Sequence, residues 1–328
     1  MNRRNLILTG ILVLQLVIAA VVLWPRQVAS GGQSLFPGLE ADQIVRLTIT
    51  DGLGTSIQLA RQGDAWVLPS AGDYPVLEDK VPPLLLKILS LTADRLVTQT
   101  PASHKRLKVA TDDYERLVEL ELDGGRVRRL YVGTAPTFSA THIRVAGQDE
   151  VYLTSDLSTQ DLGVEATAWV DRTYLEVPQD EIVAVTLENA NGRFDFTKTG
   201  DTWTMAGLAA DEMLNTSAVT SLVSRARLVT LLAPLGKEER ASYGLDNPQA
   251  VVTLQTQSAE GGSRTYTLWV GAQDPETKRF VIKSSESAYY VQVNEYSAQD
   301  FVAKTRADFL QVPTPEPEPV PQGTPETP

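Results

Sequence analysis

Cysteine is absent from all 328 residues, which excludes disulfides, thiolate metal ligands, a cysteine nucleophile and a lipid-modified N-terminal cysteine. Histidine is nearly absent too, with only His104 and His142. The chain has no His-Glu-x-x-His spacing for zinc and no Gly-x-Ser-x-Gly elbow for a serine nucleophile. Basic residues are in deficit, 29 against 41 acidic for a net charge of −12. That balance argues against nucleic acid as a partner, because phosphate-backbone affinity comes from clustered Lys and Arg. No catalytic residue, cofactor site or metal site can be assigned from these residue types. What remains is ordinary: 42% apolar and 21% charged residues can build normal cores, and the length suits two domains with appendages.

The first positive signal is at the front. Asn2-Arg3-Arg4 precedes an uncharged stretch of 19 residues from Leu6 to Trp24. As a helix this would cover roughly 28 Å, close to the hydrocarbon thickness of a bilayer. Arg3 and Arg4 predict a cytoplasmic N-terminus, a single pass through the cell membrane and an extracytoplasmic remainder. Cleavage as a signal peptide near Val28-Ala29-Ser30 is the alternative, although the apolar run exceeds the usual 7–15 residues. Three arginines precede Gln27, so the remainder carries 26 basic and 41 acidic residues, a net of −15.

Downstream, the chain repeats itself. Ile44-Val45-Arg46-Leu47-Thr48-Ile49 is matched 138 residues later by Ile182-Val183-Ala184-Val185-Thr186-Leu187. The alternation predicts half-buried strands, with Val45, Leu47 and Ile49 on one face. Gly63-Asp64-Ala65-Trp66 matches Gly200-Asp201-Thr202-Trp203. Val81, Leu84, Leu85 and Ile88 match Val219, Leu222, Val223 and Ala226, each set an apolar helical stripe, with Asp79 and Asn215 as candidate N-caps. Leu130-Tyr131-Val132-Gly133 matches Leu268-Trp269-Val270-Gly271, and Val151-Tyr152-Leu153 matches Tyr289-Tyr290-Val291. Asp171-Arg172-Thr173-Tyr174-Leu175 resembles Arg306-Ala307-Asp308-Phe309-Leu310, which predicts that each unit closes on a helix and an aromatic-Leu pair.

These matches divide the chain into a cytoplasmic tip and transmembrane helix (1–26), a spacer (27–40), repeat unit 1 (41–178), repeat unit 2 (179–312) and a tail (313–328). Short links between strands predict mainly antiparallel sheets in two tandem α+β repeats. Seven of the last sixteen residues are proline, so an extended acidic tail is expected there.

The anchor, the paired strand and Trp-helix blocks, the turn Tyr243-Gly244-Leu245-Asp246-Asn247-Pro248 and the strand Leu268-Trp269-Val270-Gly271 together resemble the bacterial family called domain of unknown function 4340. The first unit departs from that turn, reading His104-Lys105-Arg106-Leu107-Lys108-Val109. The resemblance implies a single-pass membrane protein of the bacterial envelope, often encoded beside gliding-type ABC-transporter subunits. It implies an accessory role near such a transporter and supplies no active site.

Remaining motifs weigh toward structure. His104, among Lys105, Arg106 and Lys108, predicts a surface loop, and His142 a hairpin strand. Gly52-Leu53-Gly54 lacks the third glycine of a phosphate loop and predicts a hairpin turn from Ile49 to Ile57. Asp112-Asp113, Asp73 and Glu78-Asp79 lack the alternation of a calcium loop and predict caps and turns. Trp66, Tyr131, Tyr152, Trp203, Trp269, Tyr289 and Tyr290 form the one set open to two readings, core filler repeated in each unit or a docking face. The leading expectation is a non-enzymatic, membrane-anchored protein that binds another membrane or envelope protein, with ABC-transporter subunits as candidates. An extracytoplasmic glycan or peptide binder and a carboxylate-based hydrolase are the alternatives.

Overall fold

The computed structural model describes residues 32–137 and 140–311. The expected membrane helix from Leu6 to Trp24 and the tail 313–328 lie outside the described residues. Among those described, no helix is long and apolar enough to cross a membrane.

The first half builds strands β1 (Ile44–Asp51), β2 (Ser56–Gln62), β3 (Ala65–Leu68) and β4 (Tyr74–Pro75), helix α1 (Val81–Leu89), then β5 (Leu96–Thr98). A small hairpin of β6 (Val109–Ala110) and β7 (Asp113–Tyr114) precedes β8 (Arg116–Leu122), β9 (Val127–Val132), β10 (Thr141–Val145) and β11 (Val151–Thr154). After a connecting strand β12 (Thr173–Glu176), the second half runs β13 (Ile182–Asn189), β14 (Gly192–Thr199), β15 (Thr202–Met205) and α2 (Thr216–Arg227). It continues through β16 (Leu228–Thr230), β17 (Ala233–Gly236), β18 (Ala250–Gln257), β19 (Ser263–Gln273), β20 (Phe280–Ser284) and β21 (Tyr290–Val293) to α3 (Glu295–Ala303).

The first half forms a nine-stranded sheet in the order β4-β3-β2-β1-β8-β9-β10-β11-β5, the second an eight-stranded sheet in the order β15-β14-β13-β18-β19-β20-β21-β17. Strand for strand the orders are the same apart from β4, so the sequence repeat is also a repeat of topology. Every inter-strand pairing in both sheets is antiparallel. Both helical stripes are buried as the periodicity predicts, Val81, Leu84, Leu85 and Ile88 on α1 and Val219, Leu222, Val223 and Ala226 on α2.

Four expectations need correction. The fold class is predominantly antiparallel β and not α+β, since the described residues hold three short helices against 21 strands. The reason is that β8 to β11 and β18 to β21 are joined by hairpins, and the loops bearing Leu107 and Tyr243 pack with Tyr131 and Tyr290 on the sheets. Secondly, the buried face of the first strand is Ile44, Leu47 and Ile49, not Val45, Leu47 and Ile49. A bulge between Ile44 and Arg46 turns the strand's start over, and the same bulge recurs between Ile182 and Ala184. Thirdly, Tyr152 corresponds to Val291 and not to Tyr290, because Tyr152 pairs with Ile143 as Val291 pairs with Ile282. A bulge between Val270 and Gln273 adds the extra residue, and a slip of one reverses the face of every side chain after it.

Fourthly, Thr173–Glu176 does not close the first half but pairs with β16 of the second. The same lead-in stands before the first half, where Leu35 N–H donates to Leu91 O and Ala93 N–H to Gln33 O. At the chain's other end Phe309 does close the second half, packing on Phe194 and Phe196 at 5.4 and 4.8 Å between ring centres. A single apolar core runs through both halves, from Leu35 and Phe36 to Phe301 and Phe309.

The repeated Leu-aromatic-Val-Gly motif has a steric basis. A Cβ on Gly133 would lie 2.1 Å from Leu107 O, and one on Gly271 2.1 Å from Tyr243 O. Each glycine lets a covering loop's backbone rest on the end of the strand. Gly244 in the second loop is left-handed at φ +64°, and Lys108 takes the same conformation at +55° in the first. A 2.7 Å ion pair from Lys108 to Asp113 ties that loop down.

Candidate functional site

Where the halves meet, two turns approach backbone to backbone. A Cβ on Gly72 would lie 3.1 Å from both Gly236 Cα and Lys237 N, and both glycines have positive φ. The next residue, Asp73, is held left-handed at φ +60°, a strained state for a residue with a side chain. It presents its carbonyl to the Tyr289 hydroxyl, which donates to it over 2.9 Å. Tyr74 then meets Tyr289 edge to face, ring centres 4.6 Å apart and planes at 64°. Lys237 stands 4.9 Å from the Tyr289 ring centre.

Behind this pair, Tyr174 bolts the seam. Its hydroxyl donates to Tyr289 O over 2.6 Å and accepts from Ser284 N–H at 2.9 Å. Burial pushes the Tyr174 phenol up to about 12, and burial followed by the negative charge of Asp171 raises that of Tyr74.

Between the halves lies an open cleft of about 290 Å³ lined by Tyr74, Pro75, Val76, Leu77, Asp171, Ser287 and Tyr289. Its walls are apolar and aromatic, with one carboxylate at the rim. Such a site can hold one side chain of a partner, the rings contacting its apolar stem and Asp171 any positive charge it carries.

The seven aromatics singled out in the sequence do not form one site. Trp66 and Trp203 are buried at matching places in the shared core. Tyr131 is buried in a smaller cluster with Leu107, Val109 and Val151, and Tyr290 in the corresponding cluster with Tyr243 and Val281. Tyr152 and Trp269 are half-buried on their sheets. Tyr289 alone of the seven lines the seam cleft.

Sequence reasoning missed its neighbours Asp73, Tyr74, Asp171, Tyr174 and Lys237. A signal was available in the mismatch between units: where the first reads Gly72-Asp73-Tyr74, the second reads Ala209-Ala210-Asp211. In a duplicated chain, residues that do not repeat are those the common fold does not require.

The two histidines are structural. His104 is buried, not on the surface as expected, with Nε2 3.0 Å from Asp149 O. Lys105 and Arg106 beside it are exposed. His142 is buried on β10 with Nδ1 2.8 Å from Thr134 O. Beside it the buried Arg144 donates from Nε to Val109 O at 2.7 Å and from Nη1 to Gln148 O at 2.9 Å, its guanidinium 4.6 Å from the Tyr131 ring centre. Desolvation lowers the pKa of this arginine.

Asp112 and Asp113 pair with Lys105 and Lys108 at 2.8 and 2.7 Å in the β6–β7 hairpin. Gly52-Leu53-Gly54 is the expected hairpin turn, with Gly54 at φ +86°. Among the described residues, no three His, Asp or Glu side chains group as they would to hold a metal ion.

No curated protein and no solved structure matches this chain. The sequence profile of the family described as domain of unknown function (DUF4340) matches residues 66–237 and 214–311. The two segments overlap and together span well over half the chain, consistent with a duplicated domain, so the chain belongs to the DUF4340 family.

Proposed function

We propose that this protein is a non-enzymatic interaction protein held in the cell membrane by Leu6 to Trp24, with its two β units outside the cytoplasm. Its seam cleft takes a side chain from another envelope protein, and a subunit of an ABC transporter is the leading candidate. The supporting observation is the cleft itself, an open aromatic notch placed where two units meet, with Tyr74 standing where the second unit has Asp211. Tethering would raise the effective concentration of such a partner, so a weak contact suffices.

Between the two kinds of binder, the ring geometry favours a protein side chain. At 64° to each other, Tyr74 and Tyr289 offer an edge and a face, whereas stacking on a sugar ring wants a flat, open face.

A photo-crosslinking residue at Leu77, which is 37% exposed in the cleft wall, is expected to capture a membrane-complex subunit in intact cells. The same residue at Leu53, 93% exposed at a remote hairpin tip, should not. Equal capture from both positions, or none from Leu77, would sink the proposal.

A further inference from the structure

A groove of about 650 Å³ lies away from the seam. It lies between the lead-in strap Leu35–Leu39 and the β8–β9 hairpin, and Arg126, Arg128 and Arg129 all line it. Arg129 is occupied by Glu119, its Nε donating to Oε1 over 2.7 Å. Arg126 and Arg128 are exposed and form no ion pair among the described residues. Two unpaired arginines one residue apart are conspicuous in a chain of net charge −12.

The second unit acts as an internal control. Leu130 pairs with Val118 as Leu268 pairs with Val252, so Arg126-Val127-Arg128-Arg129 stands where the second unit has Arg264-Thr265-Tyr266-Thr267. Tyr266 is buried and joins the main core, whereas Arg128 at the matching place stands open at the groove. The backbone is shared, so the fold does not need an arginine at the place of Arg128, which is particular to the unit next to the N-terminus, whereas Arg126 has a counterpart in Arg264.

Position supplies the ligand. Ten residues separate Trp24 from Leu35, so the strap that walls the groove can stand at most about 40 Å from the end of the anchor. The planar forks of Arg126 and Arg128 match phosphate oxygens in a way that single-point lysine charges do not.

We propose that this groove binds the phosphate headgroup of an anionic membrane lipid through Arg126 and Arg128, seating the first unit against the bilayer. The proposal rests on the membrane anchor of the proposed function but not on the seam cleft, so crosslinking at Leu77 can fail without affecting it.

The test uses the full chain in a neutral maltoside detergent, titrated with dihexanoyl phosphatidylglycerol, dihexanoyl phosphatidylcholine or inorganic phosphate, with bound molecules counted by native mass spectrometry. Saturable binding of phosphatidylglycerol is expected, weakened at least tenfold in the R126Q/R128Q double variant and retained in R264Q, with little binding of phosphatidylcholine. Equal binding of the two lipids, or equal loss in both variants, overturns the site. Inorganic phosphate binding as tightly as phosphatidylglycerol overturns the lipid as its source.

Discussion

Tyr174 shows how one hydroxyl can tie the connecting strand β12 to the turn between β20 and β21. Its oxygen serves a carbonyl and an N–H on either side of the β20–β21 turn, Tyr289 O and Ser284 N, while its ring enters the shared core. At neutral pH, Tyr174→Phe should cost about 1–2 kcal/mol, because both backbone groups lose their partner in a buried setting. The direction of the shift sets the sign of the pH effect. The folded pKa is raised from 10.0 to about 12, so folding favours the protonated phenol. Its contribution is complete below pH 10 and drains away as the pH rises through 12. Between pH 8 and 11.5 the wild-type chain should therefore lose about 2 kcal/mol that the Phe variant does not. Urea melts of both proteins at the two pH values check this, and parallel losses would refute it.

At the scale of elements, the two matched helices start differently. Asn215 caps α2, its side-chain oxygen accepting from Ala218 N–H at 3.2 Å. The repeat predicts the same of Asp79 for α1, but Lys80 holds the cap position and no side-chain cap bond forms. Pro82 in the first turn removes a donor that a cap would otherwise satisfy. Asn215→Ala should accordingly cost about 1 kcal/mol, and Asp79→Ala less than about 0.5 kcal/mol. Thermal melts of the two variants compare them directly, and similar losses would show that α1 is capped after all. The strand and helix positions were legible in the sequence because alternation and the 3.6-residue stripe are local. The bulges at Ile44, Ile182 and Val270 were not, since an extra residue leaves composition and spacing almost unchanged while reversing the face of each later side chain in the strand.

For the whole molecule, the continuous core and the seam bind the two units into one body. Residues of both halves belong to one apolar cluster, β12 leaves the first half to pair with β16 in the second, and Gly72 touches Gly236. Calorimetry should show one unfolding transition for the described region, with van't Hoff and calorimetric enthalpies equal. Two separated transitions would mean that each unit is stable alone. The cleft depends on this coupling, because Tyr74 and Asp171 come from one side of the seam and Ser287 and Tyr289 from the other.

The amino-acid order by itself determined the duplication, the buried stripes of α1 and α2, the largely antiparallel pairing and the membership of a family, because each is written in local periodicity or in direct repetition. It also carried the acidic balance and the long apolar run at the N-terminus. Only the tertiary structure decided that the loops bearing Leu107 and Tyr243 pack on the sheets, that His104 is buried, and that Asp73, Tyr74, Asp171, Tyr174 and Tyr289 converge. Those residues lie up to 216 positions apart, and nothing local records which distant turns a folded chain will press together.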